Sequence, residues 1–286
     1  MAASEDTRVH AVVLNWNGAE RAIACVRSLQ ATTEPAPQVV VVDNGSTDGS
    51  ADVLRAQLPE TELVCAEHNR GFAAGCNVGI ARARAAGADW VWLLNNDAAV
   101  RPGALAALLR RAEEDARIGA VGSWLVGETA KVWGGGRVSF FSGLPHHLQV
   151  PAAERSLDYL QGASLLLRCA ALDDVGMLDE GFFLYWEDTD LCYRLRRAGW
   201  RLAVAGDAEV EHAGYGSIAL RSPSWDYHFT ASSVRFFRRH ARLPLVPIAI
   251  SAGGRLLRRA LHREWRNVRA VAAGLRVGVA GETAVP

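Results

Sequence analysis

Apolar runs alternate with amphipathic segments through the first hundred residues. Val9–Leu14 and Val39–Val42 are unbroken apolar runs, which indicate strands buried on both faces of a parallel sheet. Between them, Ala22, Val26 and Leu29 recur at helical spacing, so the pattern begins as strand, helix, strand. The predicted elements that continue this alternation are a helix over Ser50–Leu58, a strand over Thr61–Cys65, a helix over Phe72–Ala86, a strand over Trp90–Leu94 and a helix behind Pro102.

The pattern changes after Ala120 to shorter apolar pieces. The predicted strands there are Ala120–Val126, Lys131–Phe141 with its run Gly134-Gly135-Gly136, and Leu160–Arg168. A strong helix follows over Glu187–Ala198, closed by Gly199, and a helical tail begins at about Pro223. We therefore predict an α/β fold with a Rossmann-like nucleotide-binding half and a mixed β half for a second substrate. The predicted division is one domain over residues 1–222 and a C-terminal helical tail over residues 223–286.

Polar side chains follow the predicted parallel strands at the points where those strands end. They are Asn15, Asp43, Asn95, Asn96 and Asp97. In an open α/β sheet that edge is where ligands bind, although each residue taken singly can equally cap the next helix. Together they favour a nucleotide or sugar-nucleotide cleft. The turns contain neither GxxxxGK[ST] nor GxGxxG, which argues against P-loop NTPases and dinucleotide dehydrogenases.

Asp97 and a histidine later in the chain are candidate metal ligands. A leaving diphosphate needs its charge neutralised, and Mg²⁺ or Mn²⁺ held by a carboxylate such as Asp97 does this as a Lewis acid. His212 is the second candidate ligand, although a lone histidine is more often a solvated or packed residue.

The densest acidic cluster contains Glu187, Asp188 and Asp190. Acids in the first turn of a helix interact favourably with its dipole, which alone explains their presence. It does not explain the aromatic run Phe182–Trp186 just before them, which places one carboxylate beside an apolar wall. A carboxylate in such a place can act as a general base toward an acceptor hydroxyl.

Taken together, these segments resemble the inverting GT-A glycosyltransferases of family 2, in the rhamnosyltransferase-like branch. The matching segments follow the family's order over about residues 9–215 and are Val12–Asn17, Val41–Asp48, Asn69–Asn77, Leu93–Asp97, Gly162–Ser164, Phe183–Cys192 and His212. The resemblance implies a GT-A fold and a transfer in which a base deprotonates the acceptor hydroxyl while a metal stabilises the departing diphosphate.

The resemblance also implies roles for individual residues. The residues implied to bind the nucleotide are Asn15, Trp16, Asp43, Arg70, Asn77 and Asn96. Asp97 and His212 would bind the metal, with Asn95 offering a neutral oxygen, and Asp188 would be the base. Gly162, Trp186 and Glu187 would shape the acceptor pocket. The family's Asp-x-Asp is Asn95-Asn96-Asp97 in this chain, which leaves one carboxylate and predicts weaker metal affinity.

Composition and charge add a second feature. The chain has 286 residues, 50% hydrophobic and 22% charged, which excludes disordered and collagen-like classes. Its zero net charge is the sum of a −9 body and a +9 segment from Arg235 onward, where eleven arginines face two glutamates. The apolar residues of that segment fall on one predicted helical face and are Leu257, Leu261, Trp265, Val268, Ala272 and Leu275.

This basic amphipathic face suits two partners. One is the surface of an anionic membrane, in agreement with a polyprenyl-linked acceptor, and the other is the catalytic domain or a second subunit of a homodimer. Nucleic acid is not an expected partner, because the body is acidic and no nucleic-acid-binding fold accompanies the arginines. The five scattered cysteines and the lack of a signal-peptide pattern predict a cytoplasmic protein, peripheral on the cytoplasmic face of the membrane if the tail binds lipid.

The leading hypothesis is an inverting glycosyltransferase that uses a nucleotide-sugar donor, with dTDP-L-rhamnose the best candidate. Its expected acceptor is a hydroxyl of a lipid-linked or cell-surface glycan precursor. Three alternatives stay open: a non-catalytic sugar-nucleotide-binding protein, a transferase that glycosylates a small molecule, and a nucleotidyltransferase. The last lacks its Gly-rich, cationic loop, since no cation occurs in Asn15–Gly18.

Overall fold

The structure, a computed structural model, describes residues 7–32, 36–127, 131–149, 156–212 and 221–283. The strands are β1 Val9–Asn15, β2 Gln38–Asp43, β3 Glu62–Cys65, β4 Trp90–Asn95, β5 Ala98–Val100, β6 Ile118–Val126, β7 Lys131–Val138, β8 Pro145–Leu148, β9 Tyr159–Leu160, β10 Ser164–Arg168 and β11 Arg201–His212. The helices are α1 Ala19–Thr32, α2 Ser50–Gln57, α3 Phe72–Ala85, α4 Ala104–Glu113, α5 Cys169–Val175, α6 Glu187–Arg197, α7 Pro223–His240, α8 Leu245–Leu261 and α9 Trp265–Ala280.

The strands form a mixed sheet. Across it they lie in the order β3, β2, β1, β4, β10, β6, β11, β5. The first four are mutually parallel, whereas β10 is antiparallel to both of its neighbours. β7 pairs with β6 and carries β8 and β9 beyond it. The predicted parallel half and mixed β half are therefore both present, and the predicted α/β fold is confirmed.

Apolar residues are buried on both faces of the sheet, because alternate residues of each strand point to opposite sides. On one face Val13 of β1 joins a core with α1 and α4, and on the other Val12 joins a core with α3, α5 and α6. This explains why the parallel strands are unbroken apolar runs.

Strand register brings the polar strand ends together at one edge. In the ladders Asn15 pairs with Asp43, and Leu14 pairs with Asn95. Antiparallel pairing of β11 with β5 sets His212 opposite Ala98, next to Asp97. Residues distant in sequence thus meet at the carboxyl ends of β1 and β4.

Two of the predicted strands are wrong in extent. The predicted strand Leu160–Arg168 is two strands, β9 and β10, because residues 161–163 leave the ladder to line the cavity described below. The predicted strand Lys131–Phe141 ends at Val138. A turn follows there, in which Gly143 donates its backbone N–H to the carbonyl of Ser139 at 2.8 Å.

The predicted single amphipathic face of the tail is also wrong. The helical conformation is interrupted between α8 and α9, where Arg263 has a φ of +57°. In α9 a buried row that includes Gly274 and Gly278 packs on α7, and a Cβ at Gly274 would lie 2.5 Å from the carbonyl oxygen of Tyr227. α9 therefore packs on α7 through a face other than the predicted apolar one, because this close contact needs glycine.

α7 is part of the core rather than a free tail. Phe236 and Phe237 are fully buried against the same apolar cluster as α3 and α6. Ser222 caps the helix by accepting a hydrogen bond from the Trp225 backbone N–H at 3.1 Å, with Pro223 at the first helical position. Among the described residues, no helix combines the length and apolar character needed to cross a bilayer.

Candidate active site

A cavity of about 750 Å³ opens at the carboxyl ends of β1 and β4. One part of its wall comes from Leu14, Trp16 and Asn95–Asp97, and another from Phe183–Thr189 and the start of α7. The cavity therefore joins the predicted nucleotide-binding edge to the predicted acceptor side, as a two-substrate reaction requires.

Polar side chains at the nucleotide end form a hydrogen-bond chain. Asn96 donates its amide to Asn15 Oδ1 at 3.2 Å, and Asn15 donates to Asp43 Oδ2 at 2.9 Å. Asp43 also accepts the backbone N–H of Ser46 at 2.9 Å through Oδ1. Trp16 and Asn96 line the cavity, whereas Asn15 and Asp43 lie behind its wall. In this conformation Asn15 and Asp43 hold Asn96 and the turn after β2 in position.

Arg70 and Asn77 lie away from the cavity wall. Asn77 is buried and exchanges two hydrogen bonds with the backbone of Leu178, at 2.9 and 3.1 Å. Its amide also donates to Glu180 Oε1 at 3.1 Å, and Arg70 pairs with Glu180 Oε2 at 2.9 Å. Both side chains secure the loop that precedes the aromatic run, so the structure does not bring them together with the other predicted nucleotide residues.

The three candidate metal ligands do meet. Nε2 of His212 lies 3.2 Å from Oδ1 of Asp97 and 3.1 Å from the amide nitrogen of Asn95. Desolvation raises the pKa of the Asp97 carboxyl, but the hydrogen bond and charge interaction with His212 outweigh it, and the net pKa lies below its ordinary value. Asp97 is therefore an anion at neutral pH.

The polar atoms of this trio fit a divalent cation. Asn95 Oδ1 and Asp97 Oδ2 are buried and have no hydrogen-bond partner among the described residues. Nε2 of His212 offers either one proton or one lone pair, so it cannot both accept the Asn95 amide proton and donate to Asp97. Carboxylate and amide oxygens are ligands of both Mg²⁺ and Mn²⁺, and an imidazole nitrogen favours the transition metal, so a cation such as Mn²⁺ would satisfy all three groups at once.

Asp188, the candidate base, lies in the first turn of α6, shortly after two residues with an unusual backbone conformation. Tyr185 and Trp186 have φ values of +68° and +70°, in the left-handed region that side chains other than glycine rarely adopt. Burial of Trp186 against Phe236 and Phe237, with ring centroids 4.9 and 5.4 Å away, holds this conformation. Such local strain is typical of functional sites, and here it fixes where α6 begins.

Asp188 lines the cavity and accepts hydrogen bonds only from neutral donors among the contacts described. They are the Gly162 N–H at 2.9 Å, the Thr189 N–H at 2.5 Å and the Thr189 hydroxyl at 3.1 Å. Desolvation raises the pKa of Asp188 above its ordinary value, although these hydrogen bonds oppose the shift. A raised pKa makes the carboxylate a stronger base, which is what general-base catalysis needs.

Glu187 is the neighbouring carboxyl and has a different environment. It is buried on the cavity wall, and within the described part of the chain its Oε2 has no hydrogen-bond partner. Desolvation, followed by repulsion from Asp188, raises the pKa of Glu187 well above its ordinary value. Glu187 therefore keeps its proton while Asp188 carries the charge of the pair.

Two glycines shape this part of the cavity. Gly71 has a φ of +88°, and a Cβ there would lie 2.4 Å from the carbonyl oxygen of Phe183, so only glycine lets α3 approach the aromatic run. Gly162 differs, because a Cβ there would make ordinary contacts of 3.5 Å with Asp188. Its observed role within the protein is to orient Asp188 through its backbone N–H.

Sequence reasoning missed several wall residues. Trp225 and Phe229 of α7 line the cavity and stack with ring centroids 4.8 Å apart. Their spacing of four residues behind a capping Ser222 predicts a helix, but nothing local indicates that this helix covers a cavity. His147 and Tyr159 also line the wall, and they come from short strands with no motif of their own.

Unpartnered polar atoms mark this cavity as a binding site. With partners sought in the ranges that the structure describes, the buried wall atoms that lack a hydrogen bond include Asn95 Oδ1, Asp97 Oδ2, Gln161 Nε2, Trp186 Nε1 and Glu187 Oε2. Buried polar groups in native proteins nearly always have partners, so each of these needs an explanation. A polar ligand that spans the cavity supplies one.

A protein-family model described as "Glycosyltransferase like family 2" matches residues 7–242. The chain belongs to glycosyltransferase family 2. The match covers the sheet, the cavity and α7, and it confirms that this family 2 member is an enzyme that transfers sugars. The predicted resemblance is thereby confirmed.

Curated relatives agree with the family. The enzyme is 33% identical over 212 residues to an N-acetylglucosaminyl-diphospho-decaprenol L-rhamnosyltransferase of Mycobacterium tuberculosis, covering 65% of this chain and 69% of that one. It is 31% identical over 206 residues to a pre-mycofactocin glycosyltransferase of the same species, covering 69% of this chain and 40% of the relative. A shorter match, 30% identical over 107 residues, is to the rhamnosyltransferase WbbL of Escherichia coli, covering 36% of this chain and 40% of WbbL.

Solved structures share the fold. A mannosyltransferase of Pyrobaculum calidifontis, solved with GDP-Man and Mn²⁺, superposes with a TM-score of 0.59 at 17% identity, over 98% of this chain and 77% of that one. GalNAc-T7, solved with UDP, GalNAc and Mn²⁺, gives a TM-score of 0.60 at 14% identity, over 96% of this chain and 57% of that one. The fold of the family 2 enzyme is thus GT-A, as predicted.

Proposed function

We propose that the enzyme transfers a sugar with inversion from a nucleoside diphosphate to an acceptor hydroxyl, with Asp188 as the base. The observation that carries this proposal is that one cavity joins the Asn95–Asp97 edge to Asp188. A donor at that edge and an acceptor against Asp188 would place the anomeric carbon between the leaving group and the nucleophile. Two reactants held in this way react within one complex.

The reaction is a single displacement. Asp188 accepts the proton of the acceptor hydroxyl as the oxygen forms its bond to the anomeric carbon. The bond from that carbon to the diphosphate oxygen breaks with its electron pair, and the nucleoside diphosphate leaves from the opposite face. Because attack and departure occur on opposite faces, the anomeric configuration inverts. The hydrogen bonds from Gly162 and Thr189 keep Asp188 oriented without neutralising its charge.

Asp97, His212 and Asn95 would hold a divalent cation beside the diphosphate. Bound there, Mg²⁺ or Mn²⁺ supplies Lewis-acid stabilisation of the negative charge that develops on the leaving group. Support comes from the unpartnered oxygens of Asn95 and Asp97 and from the Mn²⁺ in both structural neighbours. Mn²⁺ should raise the melting temperature of the wild type but not of Asp97→Ala, and an equal rise in both would exclude this site.

The proposed donor is dTDP-L-rhamnose, and the sugar transferred is L-rhamnose. The basis is the relative at 33% identity whose name specifies L-rhamnosyl transfer. Trp16 and Asn96 on the wall, backed by Asn15 and Asp43, offer a stacking surface and hydrogen bonds for a nucleoside. Trp225 and Phe229 offer an aromatic surface at the other side, where the apolar face of a sugar can pack.

The proposed acceptor is a glycan precursor carried on a polyprenyl diphosphate, which requires approach to a membrane. Exposed apolar side chains of α8 support this, with Leu257 exposed by 63% and Leu261 by 74%. The exposed apolar residues in α8 and directly beside it are Leu243, Leu245, Val246, Ile250, Leu257, Leu261 and Trp265. No acidic residue occurs between Tyr227 and Arg263, so the surface is cationic as well as apolar. With all five cysteines free, this also suits the cytoplasmic face of a membrane.

A binding screen followed by an assay for released nucleoside diphosphate tests the proposed function. UDP-, dTDP- and GDP-sugars are screened by thermal shift with and without Mn²⁺, since a ligand of the native state raises its stability. We expect dTDP-L-rhamnose to stabilise the enzyme, and dTDP to be released only when a lipid-linked N-acetylglucosaminyl acceptor is added. NMR of the product should show an anomeric configuration opposite to that of the donor.

The same assay separates the alternatives. Stabilisation by a nucleotide sugar with no release for any acceptor would indicate a non-catalytic binding protein. Release with a water-soluble acceptor alone would indicate a small-molecule transferase. Retention of the anomeric configuration would remove the single-displacement mechanism.

Vesicle binding tests the membrane surface. The variant with Leu257→Gln and Leu261→Gln alters only exposed side chains, so the fold should survive. It should lose most of its flotation with phosphatidylglycerol vesicles, whereas Val53→Gln on α2 should bind like the wild type. Equal binding by all three proteins, together with a dimer in solution that the double substitution dissociates, would assign the surface to a second copy.

A further inference from the structure

The glycine run of β7 supports a pair of side chains that the proposed function leaves unused. Gly136 pairs with His147 of β8 on one side and with Tyr159 of β9 on the other. A Cβ at Gly136 would lie 2.4 Å from both Cζ and the hydroxyl oxygen of Tyr159. Only glycine therefore lets the tyrosine ring lie across β7 and reach the histidine.

The two side chains share a hydrogen bond. The Tyr159 hydroxyl oxygen lies 2.8 Å from Nδ1 of His147, and the rings meet edge to face. Desolvation and then the charge of Asp188 raise the pKa of Tyr159, so the phenol keeps its proton and donates it. The reverse arrangement, with Nδ1–H donating, would leave a buried O–H without an acceptor, since His147 is its described partner.

This bond determines the protonation of the imidazole. Although the residue is partly exposed to solvent, desolvation lowers the pKa of His147 below its ordinary value, which favours the neutral ring at pH 7. With Nδ1 accepting from Tyr159, a neutral ring carries its proton on Nε2. His147 is then a hydrogen-bond donor and cannot serve as a base.

His147, Tyr159 and Asp188 line the same cavity. Gly162, three residues after Tyr159, donates its backbone N–H to Asp188 at 2.9 Å, which places the pair on the acceptor side. One donor, Nε2–H, and one acceptor, the Asp188 carboxylate, therefore serve the same part of the cavity. Two adjacent oxygens of a sugar match such a pair, one losing its proton and the other accepting a hydrogen bond.

We propose that His147 recognises the acceptor by donating its Nε2–H to an oxygen next to the attacking hydroxyl, and that Tyr159 is the positioning residue that fixes the imidazole for this bond. The proposal rests on the proposed function and specifies its substrate class. The acceptor would carry a hydroxyl or carbonyl oxygen adjacent to the hydroxyl that becomes glycosylated.

Kinetics of matched histidine variants test the contact. His147→Ala should raise the KM for the acceptor on the order of tenfold, the effect of one lost hydrogen bond to a buried partner, and leave the KM for the donor unchanged. His147→Gln, which keeps an N–H donor on its side chain, should recover part of the loss. His146→Ala is the control, because neighbouring strand residues point to opposite faces and His146 is absent from the wall.

A double-mutant cycle tests the positioning role of Tyr159. Tyr159→Phe keeps the ring and removes only the hydroxyl, so it should act in the same direction as His147→Ala with a smaller effect. If Tyr159 acts through His147, the double variant should be no worse than His147→Ala alone. ¹⁵N NMR of the histidine side chains should show the Nε2–H tautomer in the wild type and a mixture of tautomers in Tyr159→Phe.

Several results would overturn the proposal. They are an unchanged acceptor KM in His147→Ala, an equal rise in donor and acceptor KM, multiplicative effects in the cycle, and an Nδ1–H tautomer in the wild type. If the wild type transfers sugar, any of the first three results contradicts only the proposed roles of His147 and Tyr159, and the proposed function is unaffected. A wild type inert toward every donor counts against the proposed function instead, and the tautomer then decides whether the Tyr159–His147 pair has the proposed arrangement.

Discussion

Two carboxylates on α6 lie two residues apart in opposite environments. Asp190 is fully buried and bonded to two arginines and a histidine: Nε of Arg194 at 2.7 Å, Nη1 of Arg239 at 3.0 Å and Nε2 of His240 at 2.8 Å. Desolvation alone would raise the pKa of Asp190, but these partners lower it to about 2. Asp188 accepts hydrogen bonds from neutral donors instead, and its pKa is raised.

The difference comes from the geometry of the helix. Two residues advance about 200° around an α-helix, so Asp188 faces the cavity while Asp190 faces α7. Both belong to one acidic run in the first turn, and both interact alike with the helix dipole. The paired carboxylate stabilises the fold, and the unpaired one keeps its reactivity for a substrate.

The largest expected effect is on catalysis by Asp188→Asn. The amide cannot accept the hydroxyl proton, so turnover should fall by about 10²- to 10⁴-fold, to the limit of detection. The fold should survive, because no ion pair is lost. Turnover is measured as acceptor-dependent release of nucleoside diphosphate, and stability as the melting temperature. Near-normal turnover would remove Asp188 from the role of base.

Asp190→Asn should lower stability, in contrast to Asp188→Asn, which should lower turnover. It leaves Arg194 and Arg239 without the anion that they share, so the free energy of unfolding should fall by about 3–5 kcal/mol. Chemical denaturation measures this change. Asp207→Asn breaks the exposed pair with Arg110 and serves as the control, with an expected change of about 0–1 kcal/mol. Equal losses in the two variants would show that the buried cluster adds nothing beyond a surface pair.

The two carboxylates should also separate activity from stability along the pH scale. The folded pKa of Asp190 is about 2, below its unfolded value, so its stabilisation is present above about pH 4 and is lost as the pH falls toward 2. The raised pKa of Asp188 makes the base lose its charge at higher pH, where the protein is still folded. Below that pKa, turnover should fall about tenfold for each pH unit.

Turnover and the melting temperature, both measured between pH 3 and 8, check this separation. The rate should decline on acidification while the melting temperature is still near its maximum. Coincident declines would mean that unfolding, rather than protonation of Asp188, limits the rate.

Much of the sheet could be predicted because its signal is local. Val9–Leu14 and Val39–Val42 are strands buried on both faces, and the polar residues that end them meet at one edge. Parallel topology brings together any residues at the carboxyl ends of neighbouring strands, so the site around Asn95–Asp97 follows from the pattern. His212 was a candidate ligand in the sequence, but its place beside Asp97 depends on the long-range pairing of β11 with β5, which no local pattern indicated.

The other wall of the cavity could not be predicted from local pattern. Trp225 and Phe229 reach it because Phe236 and Phe237 of the same helix are buried in the core, which is a long-range contact. The tail was misjudged for a related reason. Periodicity across the break at Arg263 suggested one face, whereas packing on α7 selects Gly274 and Gly278. Helical spacing alone does not show which face meets a neighbour.

The smallest expected effect is that of Glu187→Gln, and it tests how the two neighbouring carboxyls divide their charge. If Glu187 is protonated, glutamine replaces one neutral group with another, so kcat should stay within about threefold and the acid limb of the pH profile should barely move. If Glu187 were ionised, the substitution would remove a negative charge beside Asp188 and shift the acid limb to lower pH by about one unit or more. Exposed Glu60→Gln controls for the change in net charge, and the acid limbs of the three enzymes decide whether Asp188 holds the only charge of the pair.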